Sequence, residues 1–151
     1  MRTSGIAILC STTGLIGCAS APPTLQGLAG TQWQLASIQS MDDSQGTVRP
    51  ADSARYVLAF GADGRVSVRL DCNRGSATWR AEPAGTAEPG RASGSLQFGP
   101  LASTRVQCGA DSLAPRLAGS WPYVRGYVLE PGRLHLSLMA DGGILSWVPA
   151  R

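Results

Sequence analysis

In Tyr56-Val57-Leu58-Ala59-Phe60-Gly61-Ala62-Asp63-Gly64-Arg65-Val66-Ser67-Val68-Arg69-Leu70, apolar side chains recur at every second position on both sides of a turn. Tyr56, Leu58 and Phe60 share one face of a strand, and Val66, Val68 and Leu70 share one face of the next. Gly61-Ala62-Asp63-Gly64 supplies turn chemistry between them, so the segment reads as an antiparallel hairpin. Arg65, Ser67 and Arg69 fall on the opposite face, which the alternation assigns to solvent.

The pattern extends in both directions. Upstream, Thr31 to Ile38 forms a first strand with Trp33 and Leu35 on one face, followed by a long polar loop to Arg49-Pro50. Downstream, Ser76 to Arg80 carries Trp79 on a further strand, Glu82 to Ser93 reads as a Pro/Gly/Ala loop, and Leu96 and Phe98 mark another short strand. Tyr123–Leu129, Leu134–Met139 and Ile144–Val148, separated by Glu130-Pro131-Gly132 and Asp141-Gly142-Gly143, form a closing meander. One short helix is expected over Ser112 to Gly119, where Leu113 and Leu117 stand one turn apart, Asp111 or Ser112 caps the start and Pro115 falls in or next to the first turn. About eight strands and one short helix predict a mainly β fold, a small antiparallel sheet that closes into a barrel-like shape and so removes its edges.

Composition agrees. The chain of 151 residues is sized for one domain, and its 43% apolar content supplies one core. Its 19 Gly and 10 Pro favour short strands joined by turns over long helices. The 13 basic residues, all Arg, stand against 10 acidic ones and leave a net charge of +3 with no basic run, so nucleic acid is not an expected partner.

The N-terminus reads as an address. Met1-Arg2-Thr3-Ser4 carries one positive charge, and the mostly apolar stretch from Gly5 to Gly17 is shorter than the roughly 20 residues a membrane-spanning helix needs. It fits either a signal-peptide core or an N-terminal core strand. Leu15-Ile16-Gly17-Cys18 then resembles the lipobox of bacterial lipoproteins. That resemblance implies residues 1–17 as a signal peptide and Cys18 as the mature N-terminus, carrying a diacylglyceryl thioether and a further acyl chain such as palmitate. Leu9 is too bulky to serve Cys10 in the same way. A chance cysteine after an apolar run is the plainer alternative. Ala19 matches the pattern of lipoproteins sorted to the outer membrane, which implies a periplasm-facing, lipid-anchored protein. Residues 18–27 read as the lipidated Cys and a flexible tether, with the folded domain over 28–151.

Four further motifs resemble one family: Leu28-Ala29-Gly30-Thr31-Gln32-Trp33, Asp71-Cys72-Asn73-Arg74, Phe98-Gly99-Pro100-Leu101-Ala102-Ser103-Thr104 followed by Cys108, and Leu134-His135-Leu136-Ser137-Leu138. In order and spacing they are similar to the META domain, also called the HslJ-like domain, from about Leu28 to Val148. Asp71 departs from the Gly often found there, as Ala77 does, and Trp79 stands where Tyr is usual. The resemblance implies a compact β-barrel-like domain with a packed helix, found on envelope lipoproteins. It is associated with heat-shock expression and novobiocin tolerance in bacteria, and with virulence or motility in trypanosomatids, without an established catalytic motif.

Once Cys10 is removed and Cys18 lipidated, Cys72 and Cys108 remain, in a compartment where disulfides persist. A bridge between them would stabilise the fold by about 4 kcal/mol in the chain-entropy model. A redox role would need a CxxC pair or a thiolate-stabilising neighbour, and only Arg74 and Arg105 lie near in sequence. With one His and no ligand spacing, neither a metal nor another cofactor is expected. His135 points away from Leu134, Leu136 and Leu138. It belongs either to the surface or to a pocket, and no GxSxG or paired-carboxylate pattern accompanies it. Asn73 and Thr104 read as turn residues that satisfy backbone groups.

Candidate ligand or partner contacts are Trp33, Trp79, Trp121 and Tyr123. Trp33, Tyr56 and Phe60 would line any interior cavity; Trp121, Tyr123 and Tyr127 would anchor a protein contact. The sequence thus describes a non-enzymatic envelope lipoprotein with a binding or maintenance role in envelope stress tolerance, whose partners are the membrane, through its lipid, and an envelope protein. The alternative is a barrel-type carrier of a small apolar ligand. The anchor is directly testable: on expression in a Gram-negative host fed labelled palmitate, the native chain takes up label and sediments with membranes, whereas Cys18→Ala does neither.

Overall fold

Ten strands succeed one another along the chain: β1 (Gln32–Gln39), β2 (Thr47–Val48), β3 (Tyr56–Phe60), β4 (Arg65–Leu70), β5 (Asn73–Pro83), β6 (Ala92–Phe98), β7 (Ala102–Ser103), β8 (Val124–Glu130), β9 (Arg133–Leu138) and β10 (Gly143–Pro149). The structure, a computed structural model, describes residues 27–85 and 88–151. The expected signal peptide, Cys18 and most of the tether lie outside the described residues. Helix α1 (Ala114–Ser120) precedes β8 and runs directly into a 3-10 turn, Trp121–Tyr123; another such turn, Ser53–Arg55, leads into β3.

Spatial order is β1-β3-β4-β5-β6-β8-β9-β10, and β10 returns to β1, so eight strands close an antiparallel barrel. The closing seam sets Trp33 opposite Pro149 and Gln39 opposite Ile144. β2 extends beside the end of β1, and β7 pairs with the start of β5. The β3–β4 hairpin forms in the expected register, Tyr56 opposite Leu70 and Phe60 opposite Val66, with Arg65, Ser67 and Arg69 exposed.

Strand alternation fills the interior. Leu35, Leu58, Val66, Leu96, Leu134 and Leu136 are completely buried, with Trp33, Tyr56, Phe60 and Trp147 packed among them. An eight-stranded barrel is just wide enough for its own side chains to fill. Among the described residues, an interior void between Leu58, Val68, Leu136 and Trp147 measures about 10 Å³, at the lower limit for a single water. Trp33, Tyr56 and Phe60 therefore pack the core and do not ring a cavity. Among the described residues, the closed sheet and its core are complete from Leu28 onward.

Three local expectations need correction. The loop assigned to Glu82–Ser93 is shorter, because β5 continues to Pro83 and pairs there with Gly94 of β6. A Cβ at Gly94 would collide with the Glu82 carbonyl, so the glycine permits a close strand approach. β5 also begins earlier, at Asn73. The helix starts at Ala114 with Leu113 in the cap position and no side-chain cap there; Ser112 Oγ only accepts from the Ala114 N–H at 3.2 Å, and Asp111 does not cap. Pro115 does lie in the first turn.

The barrel has two distinct ends. At one, Gly30 N–H donates to Phe60 O (2.7 Å), Phe60 N–H donates to Thr31 O (2.9 Å) and Ala150 N–H donates to Gln32 O (3.1 Å), so the start of β1 and the residue after β10 meet beside the end of β3. At the other sits α1, held by buried Leu117 and by the Leu113 N–H donating to Tyr56 Oη at 2.9 Å. A register shift in β8 between Val124 and Gly126 leaves Arg125 as a bulge residue near this second end. Bulges at barrel rims re-aim side chains. Leu136→Ala is expected to lower unfolding free energy by about 2–5 kcal/mol in urea titration, and Arg69→Ala by less than about 0.5 kcal/mol.

Candidate functional site

The two-residue turn joining β4 to β5 is Asp71-Cys72, with Asp71 at φ +61°. This left-handed conformation suits glycine, which accounts for the residue the family often carries there. Here the carboxylate is buried and forms an ion pair with half-exposed Arg55, while the Asp71 N–H donates to Arg55 O at 2.7 Å. Apart from Arg55, no donor reaches either carboxylate oxygen among the described residues.

Asn73, the first residue of β5, organises the loop after β7. Its Nδ2 donates to Val106 O (2.8 Å), and its Oδ1 accepts from the Val106 N–H (2.7 Å) and from Thr104 Oγ1 (2.9 Å). The side-chain amide thus acts as one more rung of sheet, satisfying both backbone groups of a residue in an irregular loop. Thr104 adds a backbone pair, its N–H donating to Arg74 O at 3.0 Å, and its hydroxyl accepts from the Arg74 N–H at 3.1 Å. Beside them Cys72 and Cys108 form a disulfide with Cα atoms 5.7 Å apart, closing a separation of 36 residues. Asn73 Nδ2 lies 3.3 Å from Cys108 Sγ. The bridge is expected from the cysteine count together with the expected export; the two-sided pairing of Asn73 with Val106 is visible only in three dimensions.

This pinned loop and α1 are the two walls of a groove of about 660 Å³, floored by Leu70, Leu101, Ala114 and Ala118 and bordered by Arg105 and Cys108. Leu101 and Ala118 also line a second hollow of about 530 Å³, together with Phe98, Pro100, Trp121, Pro122 and Arg125. The second hollow opens where the β6–β8 ladder ends at Ser95 opposite Gly126. There Phe98 stacks on Trp121, with centroids 4.1 Å apart and planes at 17°, and the Trp121 indole donates to Gly99 O at 3.1 Å. Both volumes lie in the range of small-molecule sites.

The candidate contacts do not gather in one place. Trp33 lies inside the barrel toward the chain termini, its indole donating to Thr31 Oγ1 at 2.7 Å. Half-buried Trp79 packs edge-on against Phe60 and donates to Gly61 O. Trp121 forms part of the groove floor while being largely buried. Tyr123 is exposed, 52% by area, and borders a different hollow with Leu138 and Met139. The expected exposed trio of Trp121, Tyr123 and Tyr127 is corrected. The β8 bulge turns Tyr127 inward beside Val124, where burial raises its hydroxyl above the ordinary pKa, and the 3-10 turn tucks Trp121 under α1. His135 is half-buried on the barrel exterior, where its Nδ1 lies 3.0 Å from Ser146 Oγ. No carboxylate is hydrogen-bonded to it among the described residues, and no group of three or more His, Cys, Asp or Glu is placed to hold a metal among them.

A closed eight-stranded antiparallel barrel, capped at one end by a short helix and a disulfide-pinned loop, defines a class of small β domains. The META domain family matches residues 26–150, and the chain belongs to that family. No curated protein gives a significant match. A crystal structure of a DUF4847 family protein from Bacteroides vulgatus ATCC 8482 is similar, with a TM-score of 0.53 and 11% identity over 82% of this chain and 95% of that one. At that identity the likeness concerns the fold alone.

Because Asn73 satisfies both backbone groups of Val106, Asn73→Ala is expected to cost about 1–3 kcal/mol and to speed amide hydrogen exchange in residues 104–108. Asn73→Asp, which keeps the acceptor but loses the Nδ2 donor, should fall between the native chain and Asn73→Ala.

Proposed function

We propose that this META-domain protein is a non-enzymatic lipoprotein of the bacterial outer membrane, anchored through Cys18 and facing the periplasm, that serves envelope stress tolerance by binding a partner molecule in the groove beside α1. The observation that carries this reading is the groove's position. It lies at the end of the barrel opposite Leu28, so the end where the expected tether joins the domain leaves the groove unobstructed. The packed interior supports the same choice. With room for no more than about one water inside, binding falls to the outer groove, and the alternative role of small-ligand carrier is assigned there too.

Family membership supports a non-catalytic role, since the META barrel is not known as an enzyme fold. The isolated His135–Ser146 contact supplies no acid to orient the imidazole and no cleft around it.

The test is photo-crosslinking in intact cells. A benzophenone amino acid at Gln107, on the groove rim, is expected to yield a discrete adduct that disappears when Ala118→Trp fills the groove. The same probe at Ser67, on the outer barrel wall, should yield none. Equal adducts at both positions, or a Gln107 adduct unaffected by Ala118→Trp, would remove the groove from the reading.

A further inference from the structure

We infer that the groove takes a single-chain anionic amphiphile: an apolar tail ending in one carboxylate or phosphate headgroup. The inference rests on the groove reading above and adds the ligand's chemical class.

The sign of charge is the first observation. Arg105 and Arg125 are the ionisable side chains lining the two hollows, and no carboxylate lines either one. The salt bridges among the described residues, Arg55–Asp71 and Arg91–Glu130, involve neither arginine. A ligand here meets uncompensated positive charge beside a surface of Leu, Pro, Ala and aromatic side chains. A purely apolar ligand would leave that charge unused, and a cation would be repelled.

Arg125 supplies the second. It is the extra residue of the β8 bulge, and its Nη1 donates to Pro122 O at 2.8 Å and to Val124 O at 2.7 Å. Those two bonds fix the guanidinium against its own backbone. They leave Nη2 and Nε without a hydrogen-bond partner among the described residues. An arginine on a free surface must give up rotamer freedom to grip an anion, whereas this one is already held. Its open edge matches the planar two-point geometry of a carboxylate or phosphate.

The third is adjacency. The hollow at Arg125 runs beside the Phe98–Trp121 stack, and Leu101 and Ala118 line both it and the larger space that Leu70 and Ala114 border, so the two apolar surfaces abut. The headgroup sits at Arg125, and the tail lies along Trp121 toward the disulfide. Arg105, exposed at the far mouth, adds attraction at a distance.

The domain from residue 27, with its disulfide formed, is titrated with laurate and with dodecyl phosphate below their micelle concentrations, and with neutral glycerol monolaurate. Binding is read from the Trp121 indole N–H resonance, assigned by Trp121→Phe. Saturable shifts with both anions are expected, with glycerol monolaurate at least about tenfold weaker. Arg125→Gln should weaken laurate by about tenfold while leaving the neutral ligand unchanged, and Ala118→Trp should abolish both. Which anion binds more tightly distinguishes a fatty-acid-like from a phospholipid-derived headgroup.

Equal affinity for laurate and glycerol monolaurate would overturn the proposal. So would an unchanged laurate affinity in Arg125→Gln, or association with phosphatidylglycerol vesicles without any monomer binding. If no amphiphile binds but the Gln107 crosslink in cells persists, the ligand class falls and the groove reading stands. If both fail, the groove itself is excluded.

Discussion

Hydrogen bonding between β1 and β10 joins the two ends of the domain's sequence, and the interior exists only because that seam is made. Each strand brings one apolar face, which has value only when the other strands enclose it. Without the seam, β1 and β10 would both be open edges carrying unpaired backbone groups beside Trp33, Leu35, Leu145 and Trp147. With it, β1 is bonded on both sides at Trp33 and Gln34, to β3 and to β10. Its contacts span nearly the whole domain, so the barrel forms as one cooperative unit.

Much of this is legible in the sequence because period-2 alternation survives wherever one face of a strand is buried. The hairpin from Tyr56 to Leu70 and the meander from Tyr123 to Val148 show it plainly. Alternation fails where something other than the core decides the backbone. β5 passes from Asn73, whose side chain faces the Val106 loop, to Pro83 at a Gly-lined strand approach, so its pattern blurs and only its middle reads as a strand. The bulge at Arg125 breaks the period in β8. That is why Tyr127, expected as a surface anchor, points inward.

The site is less legible than the fold. Cys72 and Cys108 announce themselves through their number and the expectation of export, but Asn73 gives only the signal of a polar residue beside a cysteine in a family motif. Its role depends on an irregular loop whose place no periodicity encodes. The groove arises from three departures from a regular barrel: a ladder that ends early between β6 and β8, a loop pinned by an amide and a disulfide, and a short helix packed across one end.

A helix at the barrel's end has a consequence for how the domain varies. Along most of its circumference the barrel's width is fixed by backbone ladders, and any change must break them. Beside α1 the boundary is side-chain packing, chiefly Leu117 beneath it, plus the Leu113–Tyr56 and Arg116–Gln45 bonds. The helix is therefore free to settle nearer or farther with its side chains, as an adjustable jaw against a rigid one. Exchanges at Ala114, Pro115 or Ala118 retune the aperture while the eight-stranded frame keeps its hydrogen bonds, so one scaffold is able to accommodate molecules of different girth.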